Sequence, residues 1–449
     1  MTRVISFFLT FFYVFCGASE LEKVSMAKLT EKNTAIPSPV MKKWTVAVYM
    51  NGRSNIEPFA LADLNRFETQ GSDENINIVA EIGRSKGLDN DTAEDGDWSG
   101  VRRFYVLRDE DPKKINSALI QDLGEVDMGD WKRAAEFLAW SKENYPAERF
   151  MFIIWDHGWG WIDPLKPGEN LAGKDRSISH DFVSGNYIKT TELGKIFKEA
   201  GPVDVYASMA CFMQMGEVAY EIKDYAQVII GSEEVIQLPS FNFEDFFAML
   251  KKEPSAKAEK VGTFLTETFK EMYSRPEYQE LLISTKYGTQ LSAIRGRALY
   301  PFASIIKKLG EYIAYEAEEK ALAQAKKEVL RFEVGDETTD PQKLISFYAD
   351  VYNFAQILAE KTQDPAKKAK ATELFNILKD NIEKDMVISN VFLNKDRTGK
   401  DYSNAHGISL HIPGEPGNLI DYHKTYRYLA FEKASGWSNA IKRLESVRQ

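Results

Sequence analysis

The sequence predicts an α/β fold in which helices cover both faces of a mainly parallel sheet. From Trp44 onward, apolar runs of strand length alternate with helical patterns, and this alternation is typical of parallel βα units. Two of the runs are followed by a residue that can carry chemistry, because His157 follows Phe150–Trp155 and Cys211 follows Val203–Ala207. Ligands and reactions gather beyond the carboxyl ends of parallel strands. The same pattern therefore predicts a site at that edge.

The strands are predicted from short runs rich in β-branched and aromatic residues, and the helices from apolar residues spaced three and four apart. The predicted strands are Thr45–Met50, Ile76–Ile82, a hairpin at Val101–Val106, Phe150–Trp155, Val203–Ala207, Gln227–Ile230 and Gly407–Ile412. The predicted helices are Ile56–Phe67, Trp131–Asn144, Thr191–Lys198, Glu217–Asp224, Lys257–Tyr273, Ala298–Ala323, Leu344–Lys361 and Lys367–Lys384. We expect a core over residues 44–250, and over 251–449 helical additions plus a late core strand at 407–412. The charged segment 325–343 is predicted to be a linker.

The first residues predict export. Arg3 precedes the apolar run Val4–Phe15, and small residues follow it as far as Ser19. Residues 1–18 are therefore predicted to be a signal peptide, and the polar residues 19–43 a leader. Two interpretations of this signal remain open. One is simple cleavage near Ala18, and the other is a lipoprotein signal that ends before Cys16. We expect a secreted, periplasmic or cell-surface protein that touches a membrane only through a lipid on Cys16.

The net charge and the cysteine content limit the classes of function that the protein can have. The net charge of −10 argues against a nucleic-acid partner, because no basic surplus is present to neutralise phosphates. The chain has two cysteines, Cys16 and Cys211. Once Cys16 is removed or lipidated, Cys211 is a single thiol, and composition leaves open whether it is reactive or an inert core residue.

The placement of His157 and Cys211 predicts a catalytic dyad. A cysteine nucleophile needs a base to take its proton and donors for the developing oxyanion. We predict Cys211 as nucleophile, His157 as base, and the backbone amides of Gly158 and Cys211 as oxyanion donors. No Cys or His pair has the spacing of a zinc site, and no Gly-x-Ser-x-Gly elbow supports a serine nucleophile. His180, between the two strands, is a weaker candidate.

Several segments resemble the clostripain family of cysteine peptidases, which are relatives of caspases, gingipains and legumain. The similar segments are Trp44–Gly52, Asp122–Gly129, Asn144–Trp161, Ala210–Met213, Glu217–Tyr220 and Gly231–Glu234. The resemblance covers nearly the whole chain after residue 44. It implies a caspase-like three-layer sandwich, protein or peptide substrates, the dyad His157–Cys211, and cleavage after Arg or Lys. It implies no cofactor for the chemistry itself, with calcium dependence in some members.

One position departs from the family pattern. Family members usually have an aspartate two residues before the nucleophile, at the base of the pocket for Arg or Lys, and this chain has Met209 there. We assign the pocket to Met209, Ser232 and Glu233, and expect it not to select a basic side chain unless Glu233 or Glu234 compensates. The chain is thus predicted to be an exported cysteine endopeptidase of altered specificity. The alternative is a catalytically weakened surface binding protein.

The connection Ile162–Lys189 between the dyad strands is long for an α/β protein. It contains Lys174 and Arg176, at which a trypsin-like enzyme would cut. We therefore consider two forms of the segment, a regulatory loop that is cleaved and an intact active-site loop.

Overall fold

The computed structural model describes residues 41–88, 90–162, 178–285, 288–334, 345–394, 401–414 and 425–447. Residues Val40–Gln449 form one compact unit. In chain order the strands are β1 (Lys42–Asn51), β2 (Ile76–Arg84), β3 (Gly100–Tyr105), β4 (Ala118–Gly124), β5 (Ala147–Trp155), β6 (Ile178–Asp181), β7 (Asn186–Ile188), β8 (Val203–Met209), β9 (Ala226–Gly231), β10 (Thr289–Arg295), β11 (Arg331–Val334), β12 (Ile345–Asp350), β13 (Val387–Leu393) and β14 (Ser409–His411).

Nine of these strands form the central sheet, in the order β13-β10-β9-β8-β5-β1-β2-β3-β4. The five strands in the middle, from β9 to β2, are parallel to one another, whereas β10 pairs with β9 and β3 pairs with β2 in antiparallel fashion. The outer pairs β10–β13 and β3–β4 are antiparallel. The middle of the sheet therefore has one carboxyl edge, at which the segments after β5 and β8 meet.

Helices cover both faces of this sheet. In chain order they are α1 (Glu57–Gln70), α2 (Trp131–Asn144), α3 (Thr190–Ala200), α4 (Gly216–Ile222), α5 (Phe243–Lys252), α6 (Ala258–Tyr273), α7 (Pro276–Thr285), α8 (Leu299–Tyr315), α9 (Glu319–Glu328), α10 (Val351–Lys361), α11 (Pro365–Asp380), α12 (Ala430–Ser435) and α13 (Ser438–Ser446). Successive residues of a strand point to opposite faces. Met151, Ile153 and Trp155 of β5 accordingly pack with α1, α5 and α6, whereas Phe152 and Ile154 pack with α2, α3 and α4. The result is three layers around two apolar cores.

Local sequence sets several helix ends. Asp130 caps α2, because its side chain accepts a hydrogen bond from the amide of Lys132 at 3.0 Å. Helix α11 begins with Pro365 after the cap Asp364, where a proline costs no helical hydrogen bond. Helix α1 ends at Gly71, whose φ of +61° favours glycine, and a Cβ there would lie 2.2 Å from the amide nitrogen of Arg108.

Two small sheets complete the structure. Strands β6 and β7 form an antiparallel hairpin, and β11, β12 and β14 form a three-stranded antiparallel sheet. The three-stranded sheet packs against the segments that follow β5 and β8. The hydroxyl of Tyr348 donates to the carbonyl of Trp159 at 2.5 Å, and the amide of Ser409 donates to the carbonyl of Gln214 at 3.1 Å. Distant parts of the chain thus meet at the carboxyl edge.

The predicted fold class is confirmed, since the sheet is mostly parallel and lies between helical layers. The second half of the chain differs from the prediction. Strands β10 and β13 belong to the central sheet, so residues 251–449 are more than helical additions. The late strand predicted at 407–412 is three residues long and lies in the small sheet. The sheet membership of β10 and β13 and the position of β14 both depend on pairing between segments that are far apart in the sequence. Local periodicity does not predict such pairing.

Three element boundaries also differ from the prediction. The helix predicted at Ala298–Ala323 is two helices, α8 and α9. The helix predicted at Leu344–Lys361 begins as strand β12, because its first residues pair with β11 and β14. The segment predicted as a linker, 325–343, includes the end of α9 and strand β11.

Some predictions fall outside the described residues. They are the signal peptide 1–18, the leader up to residue 40, and the middle of the connection Ile162–Lys189 with Lys174 and Arg176. Among the described residues, no helix is both long enough and apolar enough to span a bilayer.

Candidate active site

The pairing of β5 with β8 brings the two predicted catalytic residues to the same place. These neighbouring parallel strands end their ladder at Trp155 and Met209. The amide of Asp156 extends the contact by donating to the carbonyl of Met209 at 3.3 Å. His157 and Cys211 are each the second residue beyond the last pair, so both lie at the carboxyl edge.

Gly158 brings the histidine segment into direct contact with the nucleophile segment. A Cβ on Gly158 would lie 2.6 Å from the carbonyl oxygen of Cys211 and 2.7 Å from the Cβ of Ala210. A larger residue would force the two segments apart. Gly158 also forms an isolated antiparallel bridge with Ile178, at the start of the β6–β7 hairpin. The backbone of Gly158, predicted as an oxyanion donor, therefore lies against the backbone of Cys211.

Two residues orient the ring of His157, which is partly buried. Its Nε2 lies 2.7 Å from the side-chain oxygen Oδ1 of Asn55, in the segment between β1 and α1. Its face lies parallel to the ring of Phe182, at an interplanar angle of 13° and a centroid distance of 6.2 Å. The hairpin and the segment after β1 thus hold the imidazole from two directions.

The thiol of Cys211 is partly buried and contacts the segment after β9. The amide of Ile236 donates a hydrogen bond to Sγ at 3.3 Å, a contact that favours the thiolate. Burial acts in the opposite direction and is the larger effect, and the charge of Glu234 adds to it. Together they raise the pKa of the Cys211 thiol to about 12. The thiol in this structure is accordingly neutral at neutral pH.

The nucleophile segment is fixed by backbone hydrogen bonds to the segment after β9. The amide of Phe212 donates to the carbonyl of Glu234 at 3.2 Å, and the amide of Gln214 donates to the carbonyl of Ser232 at 2.9 Å. Phe212 has a φ of +61°, which is uncommon for a bulky residue. Such strain persists only where the surroundings hold it in place, and the two hydrogen bonds do so beside Cys211.

The residues predicted for the substrate pocket lie around the nucleophile but point into the protein. Met209 is only 2% exposed and packs in the same apolar core as Trp155 and Ile236. Ser232 is fully buried, and its hydroxyl accepts a hydrogen bond from the amide of Glu234 at 3.0 Å. The surface that Met209 contributes is apolar.

The two glutamates that could compensate for Met209 are engaged elsewhere. Glu233 is fully buried and accepts a hydrogen bond from the amide of Gly407 at 3.0 Å. Burial, and next the charge of Asp350, raise the pKa of Glu233 well above its usual range. Glu234 accepts hydrogen bonds from the amide of Val235 at 2.6 Å and from the hydroxyl of Tyr402. Glu233 therefore faces the small sheet, and both oxygens of Glu234 are hydrogen-bonded.

A third carboxyl group lies on the same side of the sheet as Met209. Asp63 of α1 is buried, and its Oδ2 accepts hydrogen bonds from the indole of Trp155 at 2.7 Å and from the hydroxyl of Ser240. Its Oδ1 is 3.1 Å from the guanidinium of Arg66. Burial raises the pKa of Asp63. Arg66 already supplies the cation with which this carboxyl group can pair.

Sequence reasoning missed Asn55 and Ile236. Asn55 follows the first core strand, so the rule that pointed to His157 and Cys211 also applies to it. The prediction used that rule only where a histidine or cysteine followed the strand. Ile236 acts through its backbone amide, and an isoleucine in a sequence does not reveal that role.

The other described histidines have structural contacts. His180 lies in the hairpin, with its ring edge-on to Phe182 at 5.1 Å. His406 stacks on Tyr352 with ring centroids 3.7 Å apart. His411 is buried in β14 and accepts a hydrogen bond from the indole of Trp161 at 3.2 Å. All three histidines thus pack against aromatic side chains.

Within the described ranges, no three His, Cys, Asp or Glu side chains are grouped so that they could hold a metal ion. Calcium dependence rests on the resemblance alone.

The fold and the site together define a three-layer α/β protein in which an imidazole and a thiol follow neighbouring parallel strands. An imidazole and a thiol are the groups that cysteine peptidases use for catalysis. The sequence model of the clostripain family matches residues 48–444. The chain belongs to this family of cysteine peptidases.

A curated relative is the clostripain of Hathewaya histolytica, which is 25% identical over 223 residues. That alignment covers 47% of this chain and 42% of the relative, so the chain matches less than half of the relative's length.

Two solved structures have the same fold. One is a secreted C11 cysteine protease from Bacteroides thetaiotaomicron bound to an irreversible peptide inhibitor, with a TM-score of 0.59 and 19% identity. The other is an inactive zymogen C11 protease from Parabacteroides distasonis, with a TM-score of 0.61 and 17% identity. Each comparison covers 88% of this chain and 99% of the solved one. At these identities the likeness establishes the fold alone.

We predict that the thiol of Cys211 stays neutral in the free protein, because burial raises its pKa. Alkylation by iodoacetamide should then rise about tenfold per pH unit from pH 6 to 9 without a plateau, since only the thiolate reacts. Mass spectrometry of the Cys211 peptide measures the rate. In the denatured protein the same peptide should level off near the ordinary thiol pKa of about 8.5. A plateau below pH 7 in the folded protein would contradict the prediction.

Proposed function

We propose that the protein is an exported cysteine endopeptidase in which Cys211 is the nucleophile and His157 the general base. The observation that carries this proposal is the shared register of β5 and β8, which sets both side chains two residues beyond the Trp155–Met209 pair. Family membership supports peptide-bond hydrolysis, with a protein or peptide as substrate.

The proposed reaction follows from the positions of these groups. His157 takes the thiol proton as Sγ of Cys211 attacks the scissile carbonyl carbon. The carbonyl oxygen becomes an oxyanion, which the amides of Gly158 and Cys211 stabilise. His157 then gives its proton to the leaving amine, and a thioester to Cys211 remains. A water molecule, deprotonated by His157, hydrolyses this thioester and restores the thiol.

One observation favours a second function. The thiol of Cys211 is partly buried, and burial raises its pKa to about 12, which are features of an unreactive cysteine. A catalytically weakened binding protein at the cell surface would keep the fold and tolerate such a thiol. The dyad variants separate the two functions, because a binding protein has no turnover to lose.

We expect Cys211→Ala to abolish hydrolysis of a denatured protein substrate, because it removes the nucleophile. His157→Ala should lower kcat/KM by about 10²–10⁴, the usual contribution of general acid–base catalysis. Fluorescence release from labelled casein measures activity. His180→Ala, which alters the neighbouring hairpin, is the matched control and should keep activity. Thermal unfolding should show all three variants folded. Wild-type turnover in either dyad variant would refute the assignment.

We further propose that the primary pocket does not select Arg or Lys. A cationic side chain in a partly dry cleft needs a carboxylate, since an unpaired buried charge is costly. Met209 is a thioether suited to an aliphatic, aromatic or Met side chain. The engagement of Glu233, Glu234 and Asp63 with other partners supports this proposal.

Fluorogenic peptides that differ only in the residue before the scissile bond test the pocket. We expect higher kcat/KM for aliphatic or aromatic residues than for Arg or Lys. Met209→Asp should raise cleavage after Arg or Lys relative to the wild type by about tenfold or more, which is about 1.4 kcal/mol. Met209→Leu, which adds no charge, should not shift the preference toward basic residues. A wild-type preference of about tenfold for Arg or Lys would refute the proposal.

Export is the third part of the proposal, and the apolar segment Val4–Phe15 supports it. Protein isolated from its native cell should begin near Cys16 or Ser19, because a signal peptidase removes the segment before it. Mass spectrometry of the N-terminus decides this, and a diacylglyceryl group on Cys16 would identify a lipoprotein. An intact Met1 in native protein would contradict export.

A further inference from the structure

The ring of His157 makes a short contact with the side chain of Asn55, and this contact has a specific chemical consequence. The distance between Nε2 of His157 and Oδ1 of Asn55 is 2.7 Å. An amide oxygen accepts hydrogen bonds and cannot donate them. Nε2 must therefore carry the proton in this contact. In the neutral imidazole the lone pair is then on Nδ1, and this nitrogen is the base.

The segment that presents Asn55 is rigid. The amide of Arg53 donates to Oδ1 of Asn51 at 3.1 Å. The guanidinium of Arg53 is buried and pairs with Asp181 of the hairpin at 2.8 Å. Gly52 passes so close to β2 that a Cβ would lie 2.6 Å from the carbonyl oxygen of Gly83. A side chain held on such a segment keeps its position when the ring of His157 gains a proton.

The hairpin reinforces the same arrangement. The amide of Phe182 donates to the carbonyl of Arg53 at 2.9 Å, and the ring of Phe182 lies parallel to that of His157. The stacking limits the plane of the imidazole, and the Asn55 contact limits its rotation within that plane. Together they favour one ring orientation and one tautomer.

We propose that Asn55 is the positioning residue of the active site, which holds His157 as the tautomer protonated on Nε2 and leaves Nδ1 to exchange the proton with Cys211. This inference rests on the proposed function, because it gives His157 a catalytic role. It adds a residue that acts through His157 and does not touch the substrate. The hydrogen bond to Asn55 persists when His157 becomes an imidazolium, so the ring need not turn during the reaction.

Three variants test the role. Asn55→Ala removes the acceptor and should lower kcat by about ten- to a hundredfold, part of the contribution of a general base, with little change in KM. Asn55→Asp keeps the acceptor and the shape, and should retain more activity than Asn55→Ala. Asn90→Gly is the matched control. The side-chain amide of Asn90 donates to the backbone carbonyl of Asn55 at 3.2 Å, so its loss disturbs the same segment without removing the acceptor. This control should keep the wild-type kcat.

A pH profile separates positioning from a merely structural role. The carboxylate introduced by Asn55→Asp stabilises the imidazolium and raises the pKa of His157. The acid limb of kcat/KM should therefore move to higher pH, by about one unit. Other titratable or charged groups on the elements around His157 are Asp156, Arg53, Asp181, His180, Cys211 and Glu234, and they are the same in every variant. An unchanged acid limb in Asn55→Asp would overturn the inference.

The tautomer of His157 can also be determined by a measurement that does not depend on catalysis. In protein labelled with ¹⁵N-histidine, long-range ¹H–¹⁵N spectra at high pH distinguish a protonated Nε2 from a protonated Nδ1. The spectrum of His157→Ala identifies the signals of that residue. We expect a protonated Nε2 in the wild type and a mixture of tautomers in Asn55→Ala. A wild-type ring protonated on Nδ1 would overturn the inference even if Cys211→Ala and His157→Ala are inactive. Full activity in those two variants would instead overturn the proposed function.

Discussion

The parallel pairing of β5 with β8 is the constraint on which the site depends. Each strand is bonded on both sides, because β1 flanks β5 and β9 flanks β8. Both strands also alternate between two apolar cores. A slip of one residue would exchange the two faces of a strand and move Trp155 and Met209 out of their core. The register is therefore fixed by burial, and His157 and Cys211 inherit their common position from it.

The far half of the chain completes the site. The segment after β9 holds the nucleophile segment through backbone hydrogen bonds, and Glu233 in turn reaches the amide of Gly407. Asp350 lies close enough to contribute to the raised pKa of Glu233. Burial opposes the charged form of the Glu233 carboxyl group, because a buried charge needs compensation. Strand β10 also contributes, because Oε1 of its Gln290 accepts a hydrogen bond from the amide of Glu233 at 2.8 Å. The segment after β9 is thus held by residues from the second half of the chain.

The sequence predicted those features that local patterns determine. Alternating runs identified the five strands β1, β2, β5, β8 and β9, and the strand-end rule singled out His157 and Cys211 from the sequence alone. The hairpin predicted at Val101–Val106 is instead the single strand β3, which pairs with β4. The pairing of β10 and β13 with the central sheet could not be predicted, because it depends on contacts between distant segments. The orientation of the Glu233 side chain could not be predicted either, because its hydrogen-bond partner Gly407 is distant in the sequence. The amide of Ile236 has no sequence signature.

The burial of Cys211 lowers the reactivity of its thiol, because burial disfavours the thiolate. The rest of the site therefore has to stabilise the thiolate. A neutral thiol resists oxidation, since the thiolate is the reactive form, and this suits the exported location we propose. In the reaction we propose, an apolar substrate side chain beside Met209 brings no positive charge to stabilise a thiolate. The amide of Ile236 and the imidazolium of His157 would then stabilise it. Asn55 is a neutral acceptor, so it can orient His157 without drawing the imidazolium's charge away from the sulfur, as a carboxylate in its place would do.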